Sequence, residues 1–166
     1  MRSLITFLRG VKKTVDKNGF IQKDIRMNRY VKALPGHFEV LKGRAFQELK
    51  FAGIPDKYVQ DFTRMHETFL AAALKAKKDR YSRQLVVLNT DNYLEVQPCF
   101  LSMQFVYTHR SEFDLYVYQR SSDLSKLRDD LAFFAHVAKE FEVAVKCHVT
   151  KLVVVFGNIH YEVSTP

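Results

Sequence analysis

The residues able to do chemistry are few, and most lie in the second half of the chain. Cys99 follows Pro98 at the start of a strand-like run. A thiolate there would be strongly nucleophilic at neutral pH and would leave easily afterwards. Arg120 and Ser121 are adjacent. A guanidinium fork can bind phosphate at two points, and a hydroxyl completes the cradle. Asp123 follows them, and His160 and Tyr161 close a later strand. Each has an ordinary alternative. A lone cysteine is most often a small buried core residue. Arg120 can be a surface cation paired with Asp123, and Asp123 can be a helix N-cap, a role compatible with lining a site. Cys99 and Cys147 supply neither a disulfide framework nor zinc spacing, which fits a reducing cytosol and predicts no metal centre.

The elements that position these residues divide the chain. Leu4, Phe7, Leu8, Val11 and Val15 form a helical stripe, with Asn18-Gly19 as its stop. The pattern from Phe20 to Phe46 is irregular and broken by Pro35-Gly36, and reads as loop with short elements. Pro55-Asp56 opens a helix running to about Lys78, with Val59, Phe62, Met65, Phe69 and Leu70 inward. The character then changes to strand. Arg83 to Asn89 is a β-branched and Leu-rich run, Gln-Leu-Val-Val-Leu, bounded by turn residues. Cys99 to Tyr107 and Phe113 to Gln119 flank Thr-His-Arg-Ser-Glu and read as a hairpin. On its second strand Phe113, Leu115, Val117 and Gln119 point one way, Asp114, Tyr116 and Tyr118 the other. Ser121-Ser122-Asp123 is N-cap chemistry for a helix from about Leu124 to Phe141. Leu124, Leu127, Leu131, Phe134 and Val137 give that helix a continuous apolar face. The last strand runs from Val149 to Phe156 and ends at Gly157-Asn158. A helical first half and a strand-rich second half predict a single α+β domain, with a mainly antiparallel or mixed twisted sheet and flanking helices.

Composition sets limits on function. The 166 residues suffice for one domain with a real core, and at 47% hydrophobic the chain is not disordered. No stretch reaches the roughly 20 apolar residues of a membrane span. The run Met1–Gly10 has a short apolar core, no small-residue cleavage site, and Lys12 and Lys13 after it, so no signal peptide is expected. The net charge of +8 is uneven: Met1 to Arg80 carries 18 basic and 8 acidic side chains, the remainder 8 and 10. A basic half suits an anionic partner, whether nucleotide, nucleic acid or acidic protein. The plainer reading is a solvated face.

Four segments, in order, resemble the thymidylate synthase and deoxypyrimidine nucleotide hydroxymethylase family. Ser82-Arg83-Gln84-Leu85-Val86-Val87 resembles the Ser-Arg-Arg stretch that opens a strand. Pro98-Cys99-Phe100-Leu101-Ser102-Met103-Gln104-Phe105 resembles the nucleophile segment Pro-Cys-His-x-x-x-Gln-Phe. Asp114 to Asp123 resembles the segment carrying Tyr-Gln-Arg-Ser-x-Asp. Phe156-Gly157-Asn158-Ile159-His160-Tyr161 resembles Phe-Gly-Asp-x-His-x-Tyr with one residue missing. Gln47 to Gly53 is a fainter match to Glu-Leu-Leu-Trp-Phe-x-x-Gly.

The resemblance implies a set of roles. Cys99 would add to carbon 6 of a pyrimidine deoxynucleoside monophosphate, activating carbon 5 to accept a one-carbon unit from methylene-tetrahydrofolate or a substitute. Glu48 would be the buried acid that handles protons. Arg120 and Ser121 would grip phosphate. Arg83, helped by Arg80, would reach the partner's site in a homodimer. Gln104 and Asp123 would line the nucleotide site, and His160 and Tyr161 would hold the sugar hydroxyl. The family's Gly-x-Pro-Phe-Asn is replaced by Leu127-Arg128-Asp129-Asp130-Leu131. Allowing one deletion, Asp130 takes the place of the base-reading Asn, and a carboxylate there suits a cytidine-type nucleotide.

Other departures weigh against a complete folate site. Phe100 stands where the family has His. The chain stops at Pro166, soon after the sugar-binding motif, and the region before Arg83 is shortened. Three readings therefore compete: an enzyme, a non-catalytic relative that binds nucleic acid or an acidic protein through its basic half, and a nucleotide sensor. Both cytoplasmic location and absence of membrane contact are expected.

Overall fold

Among the described residues, 2–89 and 99–164, the computed structural model has five helices and six strands in one α+β domain. The first helix, α1 (Leu4–Asn18), follows the predicted stripe. Leu4, Phe7, Val11 and Val15 are buried, the Ser3 hydroxyl accepts from the Thr6 amide, and Gly19 closes the helix on the Val15 carbonyl.

The region expected to be loop is instead two strands, β1 (Phe20–Asp24) and β2 (Arg29–Lys42), leading into helix α2 (Gly43–Phe51). Local propensity misses β2 because its partner lies far away in sequence. It pairs antiparallel along its length with β6 (His148–Val163), from Tyr30 opposite Val163 to Lys42 opposite Lys151. The ladder absorbs Pro35 and Gly36, where Gly36 takes a left-handed φ of 62°.

The single helix expected over 56–78 is broken at Met65 into α3 (Asp56–Arg64) and α4 (His66–Lys78). The break changes the helical phase. Met65 and Phe69 are buried, whereas Val59 and Leu70, expected inward, are exposed. Strand β3 (Val86–Leu88) is a short edge, and β4 (Phe100–His109) and β5 (Glu112–Asp123) form the predicted hairpin. Phe113, Leu115, Val117 and Gln119 are buried on β5, while Tyr116 and Tyr118 are exposed.

Helix α5 (Leu127–Val145) begins later than expected, and Lys126 occupies its cap position without a side-chain cap. Asp123 is therefore not the N-cap; it ends β5 and accepts from the Ser125 amide and hydroxyl in the turn. Gly157-Asn158 does not end the last strand either, since β6 continues to Val163.

The sheet order is β1-β2-β6-β5-β4-β3, with β5 and β6 parallel and the other pairs antiparallel. Helix α5 makes the crossover between the two parallel strands. It is buried on most of its circumference, and Phe141 stacks on Phe105 with ring centres 3.7 Å apart. Helices α1, α2 and α4 complete the cover. None of the helices is long and apolar enough to cross a membrane, among the described residues.

An irregularity crosses the sheet at one level. On β4 the register shifts between Phe100 and Ser102. On β5 the buried set moves from odd positions (Leu115, Val117, Gln119) to Ser122, and on β6 from Leu152, Val154 and Phe156 to Ile159. Arg120, level with Gly157, marks the change. A Cβ on Gly157 would lie 2.7 Å from the Arg120 carbonyl oxygen, so only glycine allows this approach. Because neighbouring strands change phase together, the β5–β6 register survives, and the strand ends beyond the kink turn toward one cleft.

Candidate functional site

Cys99 and Arg120 meet at this kink. The Arg120 amide donates to the Cys99 carbonyl at 2.6 Å, and its guanidinium Nη2 approaches the Cys99 Sγ to 4.0 Å. Cys99 is exposed, whereas Cys147 is buried and its thiol is pushed up to about 12 by burial, with Glu142 adding to the effect. Only the first sulfur is placed to react. Pro98, which precedes it in the expected motif, lies outside the described residues.

The two residues open onto a cleft of about 770 Å³. Its floor includes Phe100, Phe133 and Phe134, which pack as a ring cluster, so the position expected to be His is filled by a core aromatic. Strand β5 contributes Arg120, Ser121, Ser122 and Asp123 to the walls, and β6 contributes Asn158 and His160. Asp130, in the first turn of α5, enters from the helix side.

Charge in the cleft is arranged in a network. Arg29, on β2, lies 3.3 Å from Asp24 and 3.7 Å from Asp123. Burial alone would raise the Asp123 carboxyl, but the Ser125 amide and hydroxyl, with His160 and Arg29, outweigh it and hold Asp123 below the usual carboxylate range. His160 Nε2 is 4.0 Å from Asp123. Burial lowers the His160 pKa despite that neighbour, favouring a neutral imidazole. Both Asp130 oxygens are engaged: Tyr58 donates its hydroxyl to Oδ1, and Gln119 Nε2 and Ser122 Oγ donate to Oδ2 at 2.9 Å each.

Of the residues singled out from sequence, Cys99, Arg120, Ser121, Asp123, Asp130 and His160 line one cleft, drawn from β5, β6, α5 and the residue just before β4. Four others do not. Glu48 is on α2, where it accepts from the Leu4 amide at 3.1 Å and from Arg44 at 2.9 Å, and so ties down the start of α1. Tyr161 donates to Asp16 at 2.6 Å, which turns it onto α1. Gln104 sits opposite Tyr116 on the far side of the β4–β5 ladder and donates to the Arg83 carbonyl at 3.0 Å. Arg83 itself precedes β3, away from the cleft of its own chain. Alternation explains Gln104, because Met103 and Phe105 on either side of it are buried.

The fold also recruits residues that sequence reasoning passed over. Gln119 and Asn158 lie within recognised segments, next to residues that were chosen. Arg29 and Tyr58 had no local signal, since each enters from an element whose partner is distant in sequence.

No family model matches this chain, and neither does any curated protein. Among the described residues no group of three or more His, Cys, Asp or Glu side chains could hold a metal ion. The chemistry available is a thiol beside a guanidinium, hydroxyls for an anion, and amide and carboxylate oxygens deeper in the cleft.

Proposed function

We propose that the cleft binds a pyrimidine deoxynucleoside monophosphate and that Cys99 adds to carbon 6 of its base, as in a thymidylate synthase-like one-carbon transfer. The observation that carries this reading is the approach of Arg120 Nη2 to Cys99 Sγ at the mouth of a cleft large enough for a nucleotide. Arg120 and Ser121 hold the phosphate, and His160 with Asp123 faces the sugar. The sulfur–carbon bond forms at carbon 6 as the double-bond pair moves toward carbon 5, which becomes the nucleophile. A one-carbon donor would be attacked there, and loss of the carbon 5 proton would then expel the thiolate.

The described residues fit the nucleotide better than methylene-tetrahydrofolate. Phe100, Phe133 and Phe134 are at most 7% exposed, so among the described residues these three rings present little face to stack a pterin. The addition step is tested without that donor. A reversible Cys99 adduct exchanges the carbon 5 hydrogen with solvent, so proton NMR in D2O should show loss of that signal from a deoxypyrimidine monophosphate. A complete lack of exchange for both uracil and cytosine nucleotides would count against the enzyme reading.

A homodimer belongs to the same proposal. The uncovered sheet face carries Phe38, Val40, Val106, Tyr116, Tyr118 and Val155, all at least 36% exposed. A second copy would cover it. Arg83, outside its own cleft, is then available to a partner.

A second reading is supported by α1. Arg9, Lys13 and Lys17 are exposed and spaced four apart on one helix face. Such a row suits a polyanion, and binding there would fall steeply with salt.

A further inference from the structure

Asp130 collects three donors. Tyr58 gives its hydroxyl to Oδ1, and Gln119 Nε2 and Ser122 Oγ reach Oδ2 at 2.9 Å each. Burial, with Asp130 beside it, pushes the Tyr58 hydroxyl pKa up, so it stays a donor. Two donors at one carboxylate oxygen use both of its lone pairs. Gln119 and Ser122 are 1% and 3% exposed, so removing this acceptor would leave buried donors short of a partner.

The two strand residues could not share one carboxylate on a regular strand, where residues three apart face opposite sides of the sheet. They meet at Asp130 because β5 changes phase at the residues between them, Arg120 and Ser121. The Gln119 amide also donates to the Ser121 carbonyl at 3.0 Å, which closes a loop over the same two residues. From the other side, the Arg120 amide is held by the Cys99 carbonyl. Asp130 is itself fixed in the first turn of α5, where its amide donates to the Lys126 carbonyl at 3.0 Å. The clamp thus runs from a well-packed helix to the two residues assigned to the phosphate.

We propose that Asp130 is a positioning residue for the phosphate grip: by holding Gln119 and Ser122 it sets the kinked backbone that aims Arg120 and Ser121, and it does not read the base. The base-reading role expected for this position from the sequence is thereby set aside. This inference rests on the reading that the cleft holds a nucleotide by its phosphate.

Calorimetry on the full chain tests it with dCMP, dUMP and deoxyribose 5-phosphate, a ligand with a phosphate and no base. Asp130→Ala should weaken all three by the same factor, about tenfold or more, because buried donors lose their acceptor. Asp130→Asn should recover most of that loss, since its oxygen accepts from Gln119 and Ser122 while its amino group donates to the Tyr58 hydroxyl. In both variants the dCMP-to-dUMP ratio should stay within about twofold of the wild type. Recovery by the amide separates a clamp from general damage to the fold, and circular dichroism checks the folding of each variant. If Asp130→Ala does not fold, Ser122→Ala removes one donor and should give a smaller loss, about two- to fivefold, again equal for the three ligands. Undiminished binding of the sugar phosphate by Asp130→Ala or Ser122→Ala, no recovery in Asp130→Asn, or a shifted dCMP-to-dUMP ratio overturns the inference while leaving the nucleotide reading intact. Wild-type binding of the nucleotides without the sugar phosphate overturns it as well. If the wild type binds none of the three, the nucleotide reading fails and takes this inference with it.

Discussion

Cys99, just before β4, and Arg120 on β5 are joined by a 2.6 Å backbone hydrogen bond that holds their main chains together, with the Arg120 Nη2 4.0 Å from the Cys99 Sγ. The backbone bond makes the pairing independent of either side chain. Each can therefore be replaced without moving the other, which separates nucleophile from anion grip.

Cys99→Ser should abolish exchange of the carbon 5 hydrogen while nucleotide affinity changes by no more than about threefold, since a hydroxyl keeps the shape but is a far weaker nucleophile. NMR exchange and calorimetry on the same sample check this. Retained exchange in the serine variant would remove Cys99 from the reaction.

Arg120→Ala should weaken a nucleoside monophosphate by about 10- to 100-fold, the worth of charge-assisted hydrogen bonds, and the unphosphorylated nucleoside much less. Arg120→Lys should recover only part of the loss, because an ammonium lacks the fork. Equal losses for nucleoside and nucleotide would show that Arg120 does not hold the phosphate.

Gly157→Ala should destabilise the fold by about 1–3 kcal/mol, the usual cost of forcing atoms into a packed space. The new methyl would meet the Arg120 carbonyl, a backbone atom that cannot swing aside. Urea unfolding measures the loss. Weakened nucleotide binding in the same variant would tie the kink to the site.

His160 gives a pH signature. Burial depresses its folded pKa, so the folded state disfavours the charged imidazole. Its stabilising contribution is full above the unfolded value near 6.5 and is lost as pH falls through that value to the folded pKa. The urea midpoint should drop over this range, and His160→Asn should flatten the drop. Asp123, whose folded pKa is lowered, acts in a separate window below its unfolded value of 3.8.

Tyr118→Lys on the open sheet face should leave the monomer folded and abolish association. Light scattering reads the mass directly. A wild-type mass of 19.4 kDa at micromolar concentration would refute the homodimer.

Much of the fold was legible in the chain. The α1 stripe, the β4–β5 hairpin and the apolar face of α5 each follow from side-chain period, which is a local property. The ordered motifs likewise brought out Cys99, Arg120, Ser121, Asp123, Asp130 and His160, which meet in one cleft. What lay beyond local pattern depended on distant partners. Strand β2 exists because β6 pairs with it more than a hundred residues later. Glu48 and Tyr161 were drawn to α1 by a backbone amide and a carboxylate that no nearby residue announces. Gln104 is the exception, since alternation about Met103 and Phe105, both buried, is a local signal that already turned it to the other sheet face. Residue type and order determined which groups could react. Tertiary structure decided which of them share a cleft, because hydrogen-bond partners and the phase of a kinked sheet are set by contacts across the chain.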